Sequence, residues 1–167
     1  ELEPVKHEAA TGARIAVRIE IVLVFVVFAV QAARPAPEPN EPHYVGKAKH
    51  FWDPTWAAGD FFLESADAHQ VFFIAIGWLS LWLPLPVVAW VGRCVCWGLL
   101  AWSWTRLSHA ATDRRWLAPV SAALFVGLLH RYKLAGEWVV GSLEAKGFAY
   151  AFVFFAYADV IRRCWGR

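Results

Sequence analysis

Long apolar runs, separated by short polar or proline-rich segments, constrain this chain more than any other feature of its sequence. The first run covers residues 15–33, and its uncharged part, residues 21–33, is short for a membrane span of about 20 residues. We therefore expect Arg18 and Glu20 to lie at the interface or to snorkel to it. β-Branched residues dominate this run, but an isolated strand cannot satisfy its backbone hydrogen bonds in lipid, so the run predicts a helix.

The amount of apolar surface also favours a membrane environment. Apolar residues make up 59% of the 167 residues, and they include 11 Trp and 12 Phe. An ordinary soluble domain is about 45–50% apolar, and one of this length has no core large enough to hide so many aromatic rings. Contact with lipid is the simplest way to accommodate them.

Three further apolar runs are predicted as spans, at residues 87–104, 116–129 and 147–161. With the N-terminus in the cytoplasm, basic residues then stand at every inner end of the four spans, as the positive-inside rule requires. A full span at the short apolar run 70–83 would place Arg114 and Arg115 outside, so we predict an interfacial or re-entrant helix there. The predicted fold is an all-α polytopic transmembrane helical bundle of about four spans.

The ends of the chain and its cysteines carry further expectations. The chain starts at Glu1 and contains no Met, and no cleaved signal peptide is visible, so we expect a fragment whose remaining spans follow Arg167. The polar residues 1–12 are expected to be disordered or bound at the surface. The three Cys residues form neither a disulfide framework nor paired zinc-binding motifs, so we expect them to pack or to face lipid.

Residues 34–67 form a segment of different character, between the first span and the predicted interfacial helix. Prolines at positions 35, 37, 39 and 42 rule out a continuing helix. The segment then mixes titratable and aromatic residues, which is typical of an interfacial outer loop with short helices. We predict one such helix over residues 44–51, ended by Asp53-Pro54.

Glu41 is the first candidate for chemistry, because it follows the first span closely on the predicted outer side. A carboxylate at a membrane surface lies in a low dielectric, which favours uptake of a proton, as a general base requires. With His43 it would also contribute to a divalent-cation site. The alternative is an ordinary solvated carboxylate beside a proline turn, since acids at functional sites are a minority of all acids.

Several short motifs carry a resemblance to known proteins. They are EPHY at residues 41–44, GDFFLES at 59–65, DAH at 67–69, GEWVVG at 136–141 and EAK at 144–146. They resemble a bacterial multi-pass membrane family of unknown function, related to the C-type-fold glycosyltransferases that use polyprenyl-phosphate sugars. The order of features, an acid and a Tyr soon after the first span and then a Trp-rich stretch, is similar to the N-terminal part of those enzymes.

The resemblance implies transfer of a sugar from a polyprenyl-phosphate donor at the outer face of the bacterial inner membrane. Glu41 takes the position of the acid that serves as catalytic base or metal ligand, although many members have two adjacent acids where this chain has Asn40-Glu41. Lys47, Lys49 and Arg93 are expected to neutralise the donor phosphate. Membrane lipids, the polyprenyl-phosphate sugar and the remaining spans of the same protein are the expected partners, and nucleic acid is not among them.

Other titratable residues lie at the predicted outer boundary. Arg93 interrupts an apolar span, so it is expected either to pair with a lipid phosphate or an acid of the first loop, or to snorkel outward. His69 is expected to orient an acid or contact a phosphate, or simply to cap the apolar segment. Glu137 and Glu144 belong to the second outer loop, and either complete the same site or form solvated pairs with Lys146.

Two groups near the other boundary receive a structural interpretation. Asp159 is expected to pair with Arg162 or Arg163 at the inner end of the last span. A haem held between His109 and His130 is excluded, because the predicted topology places these side chains at opposite faces of the membrane.

The leading hypothesis is therefore a membrane glycosyltransferase-like protein. The alternative is a non-catalytic polytopic membrane protein, either a transporter-like unit or an assembly subunit. The enzyme hypothesis requires Glu41 to share one outward-facing cavity with at least one of His69, Arg93, Glu137 or Glu144. It also requires a neighbouring groove for the lipid tail, lined by aromatic residues such as Phe72, Phe73 and Trp78.

Overall fold

The structure is a computed structural model that describes residues 3–66, 68–132 and 139–165. Within these ranges the chain is all-helical and contains no strand. The helices are α1 (Glu3–Ala32), α2 (Glu41–Trp52), α3 (Gln70–Ile76), α4 (Leu85–Ala111), α5 (Leu117–Tyr132) and α6 (Ala145–Trp165), and the 3₁₀ turn Gly77–Leu81 follows α3 directly.

Two helices of the described residues are long and apolar enough to cross a membrane, where the sequence predicts four spans. They are Thr11–Ala32, which is most of α1, and Leu85–Ala111, which is α4. The segments Gln70–Leu81 and Leu117–Leu129 are apolar but shorter. The α3 helix has 7 residues, a length of about 10 Å, so it is too short to cross a bilayer.

Several helices extend beyond the predicted runs, for identifiable reasons. The α1 helix begins at Glu3, within the segment expected to be disordered or surface-bound. The α4 helix continues to Ala111, past the predicted end at residue 104, because Arg106 and His109 find acidic partners on neighbouring helices. The α2 helix begins at Glu41 rather than residue 44, since Pro42 is tolerated in a first turn.

The α4 helix is the centre of the bundle, and it packs most extensively against α6 and also against α1 and α5. The core between these helices contains Val24, Phe28 and Leu100, all fully buried. The α4–α6 contact is close because Gly147 meets Cys96, where a Cβ at position 147 would lie 2.6 Å from the Cys96 sulfur. This packing holds the two helices that flank the candidate site.

A second, smaller cluster joins α2, α3 and the 3₁₀ turn to the first part of α4. Its buried members are Val45, Ala48, Phe72, Phe73, Val88 and Leu143. The Trp52 indole N–H donates to the Phe73 carbonyl at 2.9 Å, which ties the end of α2 to α3. The proline-rich segment and α2 are therefore attached to the same end of the bundle as the residues that precede α6.

Candidate functional site

Glu41, the candidate general base, is the first residue of α2 and has only 1% of its surface exposed. Its Oε1 atom accepts hydrogen bonds from Arg93 Nε at 2.5 Å and from the backbone N–H of Leu143 at 2.8 Å. Its Oε2 atom accepts from Arg93 Nη2 at 2.6 Å and from the backbone N–H of Glu38 at 3.1 Å. The carboxylate is thus held by a bidentate ion pair and two main-chain donors.

Arg93 lies on α4 and is completely buried, with 0% exposure. Besides the two bonds to Glu41, its Nη1 donates to the carbonyl oxygen of Arg34, and its guanidinium stands 4.8 Å from the ring centroid of Trp90. The expectation that Arg93 pairs with an acid of the first loop is confirmed, and the alternative of outward snorkelling is wrong. Charge in this apolar part of α4 is tolerated because each nitrogen of the guanidinium donates to an oxygen acceptor, two of them on a carboxylate.

The four donors around Glu41 limit what its carboxylate does in this conformation. Each oxygen already accepts two hydrogen bonds, so no lone pair is directed at a substrate. The pair connects three parts of the chain: the segment before α2, helix α4 and the loop before α6. Its present geometry is that of a structural tie, and the role of Glu41 as a base stays a prediction.

His43 does not join Glu41 to form a cation site. Its exposed ring lies 4.9 Å from the ring centroid of Phe62. Within the described ranges, no group of three or more His, Cys, Asp or Glu side chains is arranged to hold a metal ion. A cation at Glu41 would also compete with the Arg93 guanidinium for the same oxygens.

Glu144 lies next to Leu143, whose amide binds Glu41, and it is itself 4% exposed. Its Oε1 accepts from the Ser142 hydroxyl at 2.8 Å, and its Oε2 lies 2.8 Å from Lys146 Nζ. The predicted Glu144–Lys146 pair therefore exists, with Glu144 buried and Lys146 half-buried. Glu137, the other predicted contributor from this loop, lies outside the described residues.

The structure does not bring Lys47 or Lys49 to the Glu41–Arg93 pair. The buried Lys47 ammonium donates to the carbonyl oxygens of Ser65 at 2.8 Å and Ala66 at 3.3 Å. The Lys49 ammonium stands 4.8 Å from the ring centroid of Trp56. Both lysines hold the segment that follows α2 against that helix. The six-residue separation from Glu41 places Lys47 on a different helical face.

Asp53, which ends α2, is part of the same loop structure. The Thr55 hydroxyl donates to its carboxylate at 2.6 Å, and this bond holds the pKa of Asp53 below its ordinary value of 3.8. Backbone donors and the nearby Lys49 ammonium act in the same direction. Asp53 thus follows α2, as the sequence predicts, and its carboxylate also holds the turn at residues 53–55.

His69 lies at the start of α3, with its ring centroid 5.1 Å from that of Tyr44. It lines an open apolar groove of about 760 Å³ between α3 and the first turns of α6. Phe72, Ile76, Phe148 and Phe152 form much of its wall. Of the three predicted aromatic residues, Phe72 lines the groove, whereas Phe73 and Trp78 do not.

Glu41 lines a different and smaller cavity, of about 180 Å³, between α2 and the start of α4. The predicted shared cavity is not found among the described residues, because Arg93, Glu144 and His69 do not line the cavity that Glu41 lines. Glu41 and Arg93 are instead in direct contact, and the amide of Leu143, which precedes Glu144, also binds Glu41. His69 lies in the separate α3–α6 groove.

Sequence reasoning missed a second buried polar cluster, at the opposite end of α4. Glu20 is 1% exposed, its Oε2 lies 2.7 Å from His109 Nε2, and its Oε1 accepts from the backbone N–H of Trp116 at 2.9 Å. Asp159 pairs with Arg106, at 2.5 Å, and not with Arg162 or Arg163 as expected. The charged residues inside apolar runs were the available signal, but their partners are far away in the sequence.

No family model matches this chain, and no curated protein or solved structure is significantly similar to it.

Proposed function

We propose that the chain is a multi-pass protein of the bacterial inner membrane, with α1, α4, α5 and α6 as spans and the N-terminus in the cytoplasm. The distribution of side chains supports this arrangement. Large apolar residues are exposed on the helix surfaces, for example Val30 at 79% and Phe152 at 65%, while Glu20, Glu41 and Arg93 are buried. A water-soluble bundle has the opposite distribution.

The shorter helices remain compatible with this arrangement. The α5 helix has 16 residues, a length of about 24 Å, compared with a hydrocarbon core of about 30 Å. Local thinning of the bilayer and snorkelling of flanking residues accommodate such a difference at a modest free-energy cost. The α2 and α3 helices then lie at the outer interface.

The proposed function is binding of a polyprenyl-phosphate sugar and transfer of its sugar at the outer face. The observation that carries this proposal is the α3–α6 groove, which is lined almost entirely by apolar side chains and has His69 and Gln70 in its wall. An apolar channel with polar groups in its wall suits an isoprenoid chain with a phosphate head. Ala145 and Phe148, at the start of α6, form the wall opposite α3.

A second candidate function has its own supporting observation. The saturated Glu41–Arg93 pair has the geometry of a structural connection, as expected in a non-catalytic transporter-like unit or assembly subunit. In that case the groove still accepts a lipid, but no sugar is transferred. Both candidate functions thus include lipid binding, and they differ in whether a sugar is transferred.

The test uses the protein in membrane vesicles with a photoactivatable polyprenyl-phosphate sugar. We expect the probe to label α3 and α6, and sugar transfer to an added acceptor to depend on the groove. Ala149→Trp fills the groove and should abolish labelling and transfer, while Leu124→Trp, at a position 61% exposed on α5, should change neither. Labelling without transfer would favour the non-catalytic candidate, and absence of groove labelling would contradict the proposal.

A further inference from the structure

A second cavity lies at the end of the bundle away from Glu41. It encloses about 250 Å³ between α1, α4 and α6. Val17 and Ile21 form its apolar wall on α1, and Trp102 continues this wall on α4. Arg106, His109 and Arg162 also line it. We refer to these residues together with Thr105 as the basic cavity.

Arg106 has an unused donor at this cavity. Its Nη2 binds Asp159, and its guanidinium lies 5.9 Å from the ring centroid of Phe155. Its Nε atom is buried and has no hydrogen-bond partner within the described part of the chain. A buried N–H without an acceptor is unfavourable, so the surroundings of Arg106 are not fully satisfied.

The charges around the basic cavity are not all balanced. Asp159 neutralises Arg106, and Glu20 faces His109. Arg162 has no ion-pair partner among the residues that the structure describes. The cavity thus offers the uncompensated guanidinium of Arg162 to an anion.

We propose that the basic cavity binds the phosphate of an anionic phospholipid. The guanidinium groups of Arg106 and Arg162 hold the phosphate oxygens, and the wall of Val17, Ile21 and Trp102 contacts the first part of an acyl chain. Free inorganic phosphate carries the same kind of charge, but it has no apolar part to contact this wall. The inference rests on the proposed membrane location, and it places a lipid in the inner leaflet, opposite the groove assigned to the sugar donor.

The experiment measures lipid retention by native mass spectrometry of the purified protein in a neutral detergent. Phosphatidylglycerol, phosphatidylcholine and inorganic phosphate are added in parallel. We expect phosphatidylglycerol to be retained and to raise the unfolding temperature, with little effect of the other two. Arg162→Gln should weaken phosphatidylglycerol retention by about tenfold, the effect expected for loss of one charge-assisted contact.

Arg163→Gln is the matched control, because it removes the same charge from the next, exposed residue of α6, which does not line the cavity. Val17→Trp fills the apolar wall and tests the site without changing charge. Equal retention of phosphatidylcholine, equal stabilisation by inorganic phosphate, or equal effects of the two Arg variants would overturn the proposal. Extraction of the protein from membranes by alkaline carbonate would instead contradict the membrane location itself, whatever the lipid result.

Discussion

Glu41 and Arg93 show, at the scale of single residues, how two charges are kept inside an apolar region. Neither side chain is more than 1% exposed, and the ion pair is completed by main-chain groups from residues 34, 38 and 143. Desolvation of each charge is offset only while the other is present. Removal of one partner should therefore lower the free energy of unfolding more than removal of both.

The first prediction follows from this asymmetry. Glu41→Gln leaves Arg93 buried without a counter-charge and should lower the free energy of unfolding by about 3–5 kcal/mol. The double variant Glu41→Gln with Arg93→Met should recover part of that loss. Unfolding of the purified protein in detergent by a denaturant titration measures both.

Glu38→Gln is the control, because the Glu38 carboxylate only approaches the exposed Arg34 side chain, at 3.6 Å. Such a surface pair contributes about 0–1 kcal/mol. A loss for Glu41→Gln no larger than that of the control would show that the buried pair is not a structural tie.

The second prediction concerns Asp53. Because its pKa in the folded protein is depressed, its contribution to stability is present above its unfolded pKa and is lost as the pH falls through the folded pKa. Thr55→Val removes the main donor, so the pKa of Asp53 should rise toward 3.8. A carbon-13 titration of the Asp carboxyl signals measures this shift, with Thr112→Val as the control. An unchanged Asp53 titration would contradict the proposed cause.

The contact between α2 and the 3₁₀ turn depends, at the scale of helices, on one glycine. A Cβ at position 77 would lie 2.3 Å from the Ala48 carbonyl oxygen and 2.7 Å from Trp52 Cδ1. Because the first of these neighbours is backbone, the overlap is relieved only by moving α2 away from the turn. The close approach of α2 and the 3₁₀ turn therefore requires Gly77.

The third prediction is that Gly77→Ala destabilises the protein by about 1–3 kcal/mol, the usual cost of overpacking. The same denaturant titration measures this loss, and the Trp52 indole should become more accessible to a collisional quencher. Gly98→Ala, on α4 with no neighbour within 4 Å of the added Cβ, should be neutral or slightly stabilising. An equal change in the free energy of unfolding for the two variants would contradict a tight contact between α2 and the 3₁₀ turn.

The apolar runs predicted the positions of α1, α4, α5 and α6, because side-chain polarity is a local property of the sequence. They did not predict how far α4 extends, since Arg106 and His109 look like the residues of a polar loop. These residues are helical because Asp159 and Glu20 meet them from helices that are 53 and 89 residues away in the chain. Ion pairs between residues so far apart in the chain leave no pattern in the neighbouring sequence that predicts a helix.

The candidate site was predictable to a similar extent. The unfavourable energy of an isolated charge in an apolar run indicated a partner for Arg93, and an acid of the first loop is that partner. Lys47 and Lys49 were grouped with Arg93 on charge alone, but their ammonium groups point to loop carbonyls and an indole ring. The sequence gives no sign that the backbone N–H of Leu143 binds Glu41, because every residue except proline carries a backbone N–H.

At the scale of the whole molecule, the described helices carry an ionic cluster toward each end of α4, with an apolar core between the two clusters. The fourth prediction tests their orientation across a membrane. In a variant without the three native cysteines, a Cys at position 53 should react with an impermeant reagent added outside intact cells, and a Cys at 114 only after permeabilisation. Outside labelling at 114 would contradict the four-span topology and make the apolar run 70–83 a full span.

The donors that surround Glu41 also become available at different times during synthesis. Glu38 precedes it by three residues, whereas Arg93 and Leu143 follow it by 52 and 102 residues. Because synthesis runs from the N-terminus, the Glu41 carboxylate already exists when Arg93 is made. The Leu143 amide is added only after α5, so the ion pair has both of its members before the last of the four donors exists.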